Sequence, residues 1–82
     1  MHTRQSVKEI CLEIFRQVFS DNKLIISEQT SAADVASWDS LAQVQLLMSM
    51  EISFDIQFSM DEVEDLQNVG EILDLILLKT NG

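Results

Sequence analysis

Three runs of apolar residues recur along this chain at steps of three and four, a spacing that lines up side chains only on an α-helix. The first is Val7, Ile10, Cys11, Ile14, Phe15 and Val18, and the last is Val69, Ile72, Leu73, Ile76 and Leu77. Between them, residues 40–54 read SLAQVQLLMSMEISF. Breakers are scarce: the 82 residues contain no proline and only two glycines, Gly70 and Gly82. The expectation is an all-α fold rather than a turn-rich β sandwich, and the length allows one small domain over residues 1–82.

Start signals frame the helices. Ser6 followed by Glu9 has capping-box spacing for the first helix, with Thr3 as the alternative start. Asp39 suits the N-cap of a second helix from Ser40 to Phe54, and Asp55-Ile56-Gln57-Phe58 reads as a linker. Ser59-Met60-Asp61-Glu62 repeats the capping-box spacing and opens a short third helix through about Leu66. Asn68-Val69-Gly70-Glu71 starts a fourth, which Asn81-Gly82 ends. The predicted architecture is a small four-helix bundle of three longer helices plus a short third one. Residues 20–38, SDNKLIISEQTSAADVASW, form an unusually long connection between the first two helices. Leu24, Ile25, Ile26, Val35 and Trp38 are positioned to pin it to the core, and a short helical turn fits within it.

The second helix is apolar on two opposite sides. On a helical wheel Leu46, Leu47, Met50 and Phe54 gather on one side, and Leu41, Val44, Met48 and Ile52 on the other. Ser40 sits at the N-terminal edge of the second stripe. The helix is therefore either buried all round or presents that stripe, at least in part, to a ligand or partner.

Charge narrows the partners. Fourteen Asp and Glu face five Lys and Arg, a formal net charge of −9. From Asp39 to Asp74 there are nine acids and no base. Such a field repels nucleic-acid phosphates; it serves solubility, or steers the chain toward basic patches. The single cysteine, Cys11, excludes an internal disulfide framework and falls in the apolar stripe of the first helix, as a buried hydrophobe would. No apolar run is long enough for a membrane span, and the N-terminus lacks the apolar core of a signal peptide, so an intracellular protein is expected.

Catalytic chemistry is poorly represented. The only histidine, His2, sits at an N-terminus expected to be mobile, so no Ser-His-Asp or Cys-His arrangement assembles without it. No Gly-rich phosphate loop or EF-hand pattern is present. Ser40 is a lone hydroxyl at a helix start beside Asp39, where both residue types are favoured in any case.

The segments DSLAQVQLLMSMEISFDIQF and MDEVEDLQNVGEILDLI, in this register, resemble the acyl carrier protein family from about Val7 to Leu77. The resemblance implies that Ser40 receives 4′-phosphopantetheine from coenzyme A by way of a separate phosphopantetheinyl transferase. The chain would then be a non-catalytic, cytoplasmic, monomeric carrier of acyl thioesters in fatty-acid, polyketide or related biosynthesis. Asp39 and Leu41 match positions that help present the serine, and Val44 and Met48 match apolar positions near the arm and cargo. Glu51, Asp61 and Glu62 match acids that meet basic patches on acyl-transferring, condensing or ligase enzymes. Departures concentrate on the docking side. Gln45 replaces a usual glutamate, Ile52 and Ser53 stand where acids are usual, Ser59 replaces a proline, and Trp38 a small residue. The apolar Ile52 and neutral Gln45 join the partner-facing set. VQLL is similar to D-alanyl carriers, so an aminoacyl carrier is one alternative; an unmodified helical adaptor, binding a partner through the second helix's apolar face, is another. The Met-rich LLMSM segment raises the expectation that the bundle parts its helices to shelter an acyl chain.

Overall fold

The computed structural model describes residues 3–64 and 66–81. It contains four helices, α1 (Arg4–Val18), α2 (Ser40–Phe54), α3 (Met60–Glu64) and α4 (Val69–Asn81), and no strand among the described residues. His2 and Gly82, both used in reading the sequence, lie outside the described residues.

Side-chain caps set most of the boundaries. At α1 the box is built on Thr3, not on Ser6 with Glu9. Thr3 Oγ1 accepts from the Ser6 N–H at 3.1 Å, and Ser6 Oγ accepts from the Thr3 N–H at 3.0 Å. The Ser6 hydroxyl thus does the work usually done by a longer Glu or Gln side chain. Glu9 instead accepts from the Gln5 amide at 3.2 Å. The α3 box is as its spacing predicts: Glu62 Oε1 accepts from Ser59 N at 2.8 Å and Ser59 Oγ from Glu62 N at 3.2 Å. The helix ends at Glu64 rather than Leu66, because Leu66 N turns back to Val63 O at 3.3 Å in a tighter, three-residue step. At α4, Asn68 Oδ1 accepts from Glu71 N at 2.9 Å. Asp55 closes α2 in the left-handed region, at φ 54°, and the Ile56 N–H reaches back to Glu51 O.

The core lies between α1, α2 and α4. From α1 it takes Val7, Cys11, Ile14 and Phe15; from α2, Ala42, Leu46, Met50 and Phe54; from α4, Val69, Ile72, Leu73 and Ile76. The long connection adds Ile26 and Trp38, with Leu24 and Val35 half-buried. Ile25 does not pin the loop; it is 82% exposed. Its neighbour Ile26 takes the buried place instead. The remainder of the connection folds as successive tight turns, Thr30 N to Ser27 O, Asp34 N to Ser31 O and Trp38 N to Val35 O, without forming a helix.

The same connection caps α4. Thr30 O accepts from Val69 N at 2.9 Å and Glu28 O from Gly70 N at 2.8 Å, satisfying two N–H groups that a helix start leaves open. The approach is close enough that a Cβ on Gly70 would meet Glu28 O at 3.0 Å. Arg4 then ties three parts of the chain together. Its guanidinium donates to both carboxylate oxygens of Glu28, to Asp74 Oδ1 at 2.6 Å and to Gly70 O at 3.4 Å.

Two measurements check this account. Leu46 is fully buried and Leu41 is 67% exposed on the opposite face of α2. Leu46→Ala is expected to lose about 2–5 kcal/mol in denaturant unfolding, and Leu41→Ala to stay within about 0.5 kcal/mol of wild type. Comparable losses would mean that both faces are packed. The second measurement concerns pH. Hydrogen bonding to Arg4 holds the Glu28 carboxyl below its usual range. A depressed group contributes stability that is complete above the ordinary glutamate value, about 4.3, and is lost as pH falls through its lowered folded value. Glu28→Gln should therefore flatten the acid side of the Tm–pH curve below that value, and an unchanged acid limb would argue against the clamp.

Candidate functional site

Ser40 is the first residue of α2, and its surroundings follow from the two residues before it. Trp38 is buried, with its ring edge-on to Phe15 at 5.1 Å between centroids. A buried indole needs a partner for its N–H, and Nε1 donates to Gln43 Oε1 at 2.6 Å, one turn into α2. Asp39 is the N-cap: its Oδ1 accepts from Ala42 N at 2.9 Å, and its carbonyl accepts from Gln43 N at 2.9 Å. With Trp38 turned in and Asp39 occupied in capping, Ser40 faces solvent.

The Ser40 hydroxyl has no hydrogen-bond partner among the described residues, and neither do the N–H groups of Ser40 and Leu41. Open N–H groups and the positive end of the helix dipole favour a negatively charged substituent at this position. Beside Ser40 runs an open groove of about 600 Å³. Trp38 and Gln43 form one wall, and Met60, Val63 and Leu66 the other. At the far end of α2 a second open depression, about 800 Å³, is bounded by Glu51, Ile52 and residues 55–58.

The second apolar stripe of α2 meets solvent. Leu41, Val44, Met48 and Ile52 are all exposed, as is the neutral Gln45 between them. The acids are less uniform. Asp61 is exposed and carries no side-chain bond among the described residues. Glu62 is half-buried, pairs with Lys79 Nζ at 2.9 Å, and is held below the usual carboxylate range chiefly by that lysine. Glu51 is half-buried and accepts from the Phe58 N–H at 2.9 Å, so it holds the linker against α2. A partner reaching for Glu51 or Glu62 must compete with these internal bonds.

Two features of the site escape a reading by motif. Gln43 carries no obvious signal until Trp38 is known to be buried and in need of an acceptor. The Lys79–Glu62 pair joins residues far apart in sequence, and neither shares a helix with Ser40. Other chemistry is poorly served. Burial pushes the Cys11 thiol up to about 12, so it offers no thiolate near neutral pH. No group of three His, Cys, Asp or Glu side chains among the described residues is arranged to hold a metal ion. No described helix is long and apolar enough to cross a membrane.

No protein-family model matches the chain. Individual proteins do. It is 35% identical over 80 residues to the acyl carrier protein of Desulforapulum autotrophicum, covering 98% of this chain and 100% of that one. It is 30% identical over 77 residues to that of Chlorobium phaeobacteroides, covering 94% and 99%. The fold is similar to the solution structure of a holo acyl carrier protein from Geobacter metallireducens, with a TM-score of 0.83, 37% identity, and coverage of 92% of this chain and 85% of that one. Matches that span almost the full length of both partners, on the same helical architecture, place this chain in the acyl carrier protein family.

Proposed function

We propose that Ser40 bears a 4′-phosphopantetheine arm and that the protein carries acyl groups as thioesters between enzymes of fatty-acid, polyketide or related biosynthesis. The observation that carries this reading is the Ser40 hydroxyl itself: solvent-facing, without a hydrogen-bond partner, and first in a helix that opens with Asp-Ser-Leu in a chain of this family. The residues suit the group. Two unpaired N–H groups at the positive end of α2 favour a phosphodiester, and the open groove leaves room for a tether to move.

The arm, when attached, supplies the thiol that Cys11 cannot. Ser40 Oγ bonds to phosphorus of the coenzyme A pyrophosphate, the nucleotide portion departs, and the hydroxyl proton passes to a base. No side chain among the described residues is hydrogen-bonded to the Ser40 hydroxyl, and Asp39 is occupied in capping, so a separate phosphopantetheinyl transferase provides that base. Asp39 keeps the helix start in place during the attack by capping Ala42.

The exposed stripe Leu41, Val44, Met48 and Ile52, with Gln45, is the docking face for acyl-transferring, condensing or ligase enzymes. Asp61 adds an accessible acid, and Glu51 and Glu62 add charge at the margin. Because the centre of this face is neutral, its contacts are less screened by salt than charge pairs are.

Incubating the apo protein with coenzyme A and a permissive transferase should add one phosphopantetheinyl mass, and Ser40→Ala should abolish the addition. Modification persisting in that variant would move the attachment elsewhere. Affinity for a cognate enzyme should fall only shallowly as ionic strength rises, and a steep loss would show that charge pairs dominate docking.

A further inference from the structure

Trp38 is part of the lining of the groove beside Ser40. Of the described side chains that line it, Trp38 alone belongs to the buried core, and the others are half-buried or exposed. Its ring packs edge-on against Phe15, which does not line the groove, and Phe15, Leu46 and Met50 are all fully buried. The ring is fixed at both ends: edge-on to Phe15 on one side, and by the Nε1–H bond to Gln43 at 2.6 Å on the other. A chain passing from the groove into the core beneath Trp38 would have to displace the ring, break that bond and leave a buried donor without an acceptor. The methionines expected to open the bundle are not at this entrance. Met48 faces solvent on the far stripe, Met50 is buried in the core, and neither lines the groove.

We infer that Trp38, locked by Gln43, limits the length of cargo this carrier accommodates. A short acyl group tethered at Ser40 lies in the outer groove against Met60, Val63 and Leu66, and a long one gains no shelter within the bundle. Trp38 is a positioning and specificity-determining residue, with no part in forming or breaking bonds. The inference deepens the reading of Ser40 as the attachment site and rests on it. It also reverses the expectation, drawn from the Met-rich segment, that the helices part around an acyl chain.

The test loads wild-type protein and Trp38→Ala with butanoyl or hexadecanoyl arms from the corresponding acyl-coenzyme A, and confirms loading by intact mass. Thermal melting and NMR of the side-chain methyl groups then report where the chain lies. In wild type the two forms should melt together. The Met60 and Val63 methyl signals should move in both, while those of Leu46 and Met50 stay in place. In Trp38→Ala the hexadecanoyl form should melt several degrees above the butanoyl form, and the Leu46 and Met50 signals should shift. A wild-type protein that melts higher with the longer chain, with its core methyls displaced, overturns the inference. So does a folded Trp38→Ala that gains nothing from the longer chain. Should Trp38→Ala fail to fold, Gln43→Leu, which frees the indole but keeps the ring, takes its place with the same expected gain. The absence of any mass gain in wild type would instead overturn the Ser40 reading, and this inference with it.

Discussion

The edge-on packing of Trp38 against Phe15 fixes where the long connection ends and where α2 begins. A Trp side chain carries more apolar area than any other, and an aromatic pair in this geometry adds about 0.5–1.5 kcal/mol beyond the area it buries. With that ring turned inward, Asp39 is left to cap and Ser40 to face solvent. The exposure of the hydroxyl is thus a consequence of what precedes it. The hydrogen bond to Gln43 makes the arrangement specific, because only one orientation of the indole satisfies its N–H.

A second constraint operates at the other end of the connection. Residues 28–30 lend two carbonyls to the first N–H groups of α4, and Arg4 holds Glu28 there from the start of α1. A connection this long would be expected to move freely. Here it is tied at both ends, to α4 through backbone bonds and to α1 through the two aromatic rings. Its middle is held by short-range turns around Ser31 and Asp34 and by the half-buried Val35, which packs against the core.

The helices α1, α2 and α4 were legible in the sequence because each has both a periodic stripe and a polar start, and α3 was legible from its capping box alone. The α2 boundaries, Ser40 and Phe54, coincide with those expected from Asp39 and from the last apolar residue of the stripe. Less could be read where two neighbouring residues offer the same chemistry. Thr3 and Ser6 both carry hydroxyls, and only geometry decides which one caps. Ile25 and Ile26 are chemically equivalent, and only the path of the folded chain decides which one is buried. The roles of Glu51 and Glu62 were not legible at all. Their partners, the Phe58 N–H and Lys79, come near them only after the chain has folded, so an acid that reads as free surface charge is already engaged.

Four large apolar side chains in one exposed row would normally favour contact between copies of a protein. The sequence opposes this by composition. No base lies between Asp39 and Asp74, so two copies approaching through α2 bring like fields together while each still carries a formal charge of −9. On the proposed function, an enzyme with a basic rim around an apolar hollow would meet the reverse situation: the acids would draw it in, and Leu41, Val44, Met48 and Ile52 would hold it there. Steering and grip are thereby assigned to different residues. In that reading the charge would discriminate among partners at a distance, and the neutral stripe, with Gln45 beside it, would set how tightly the chosen partner is held.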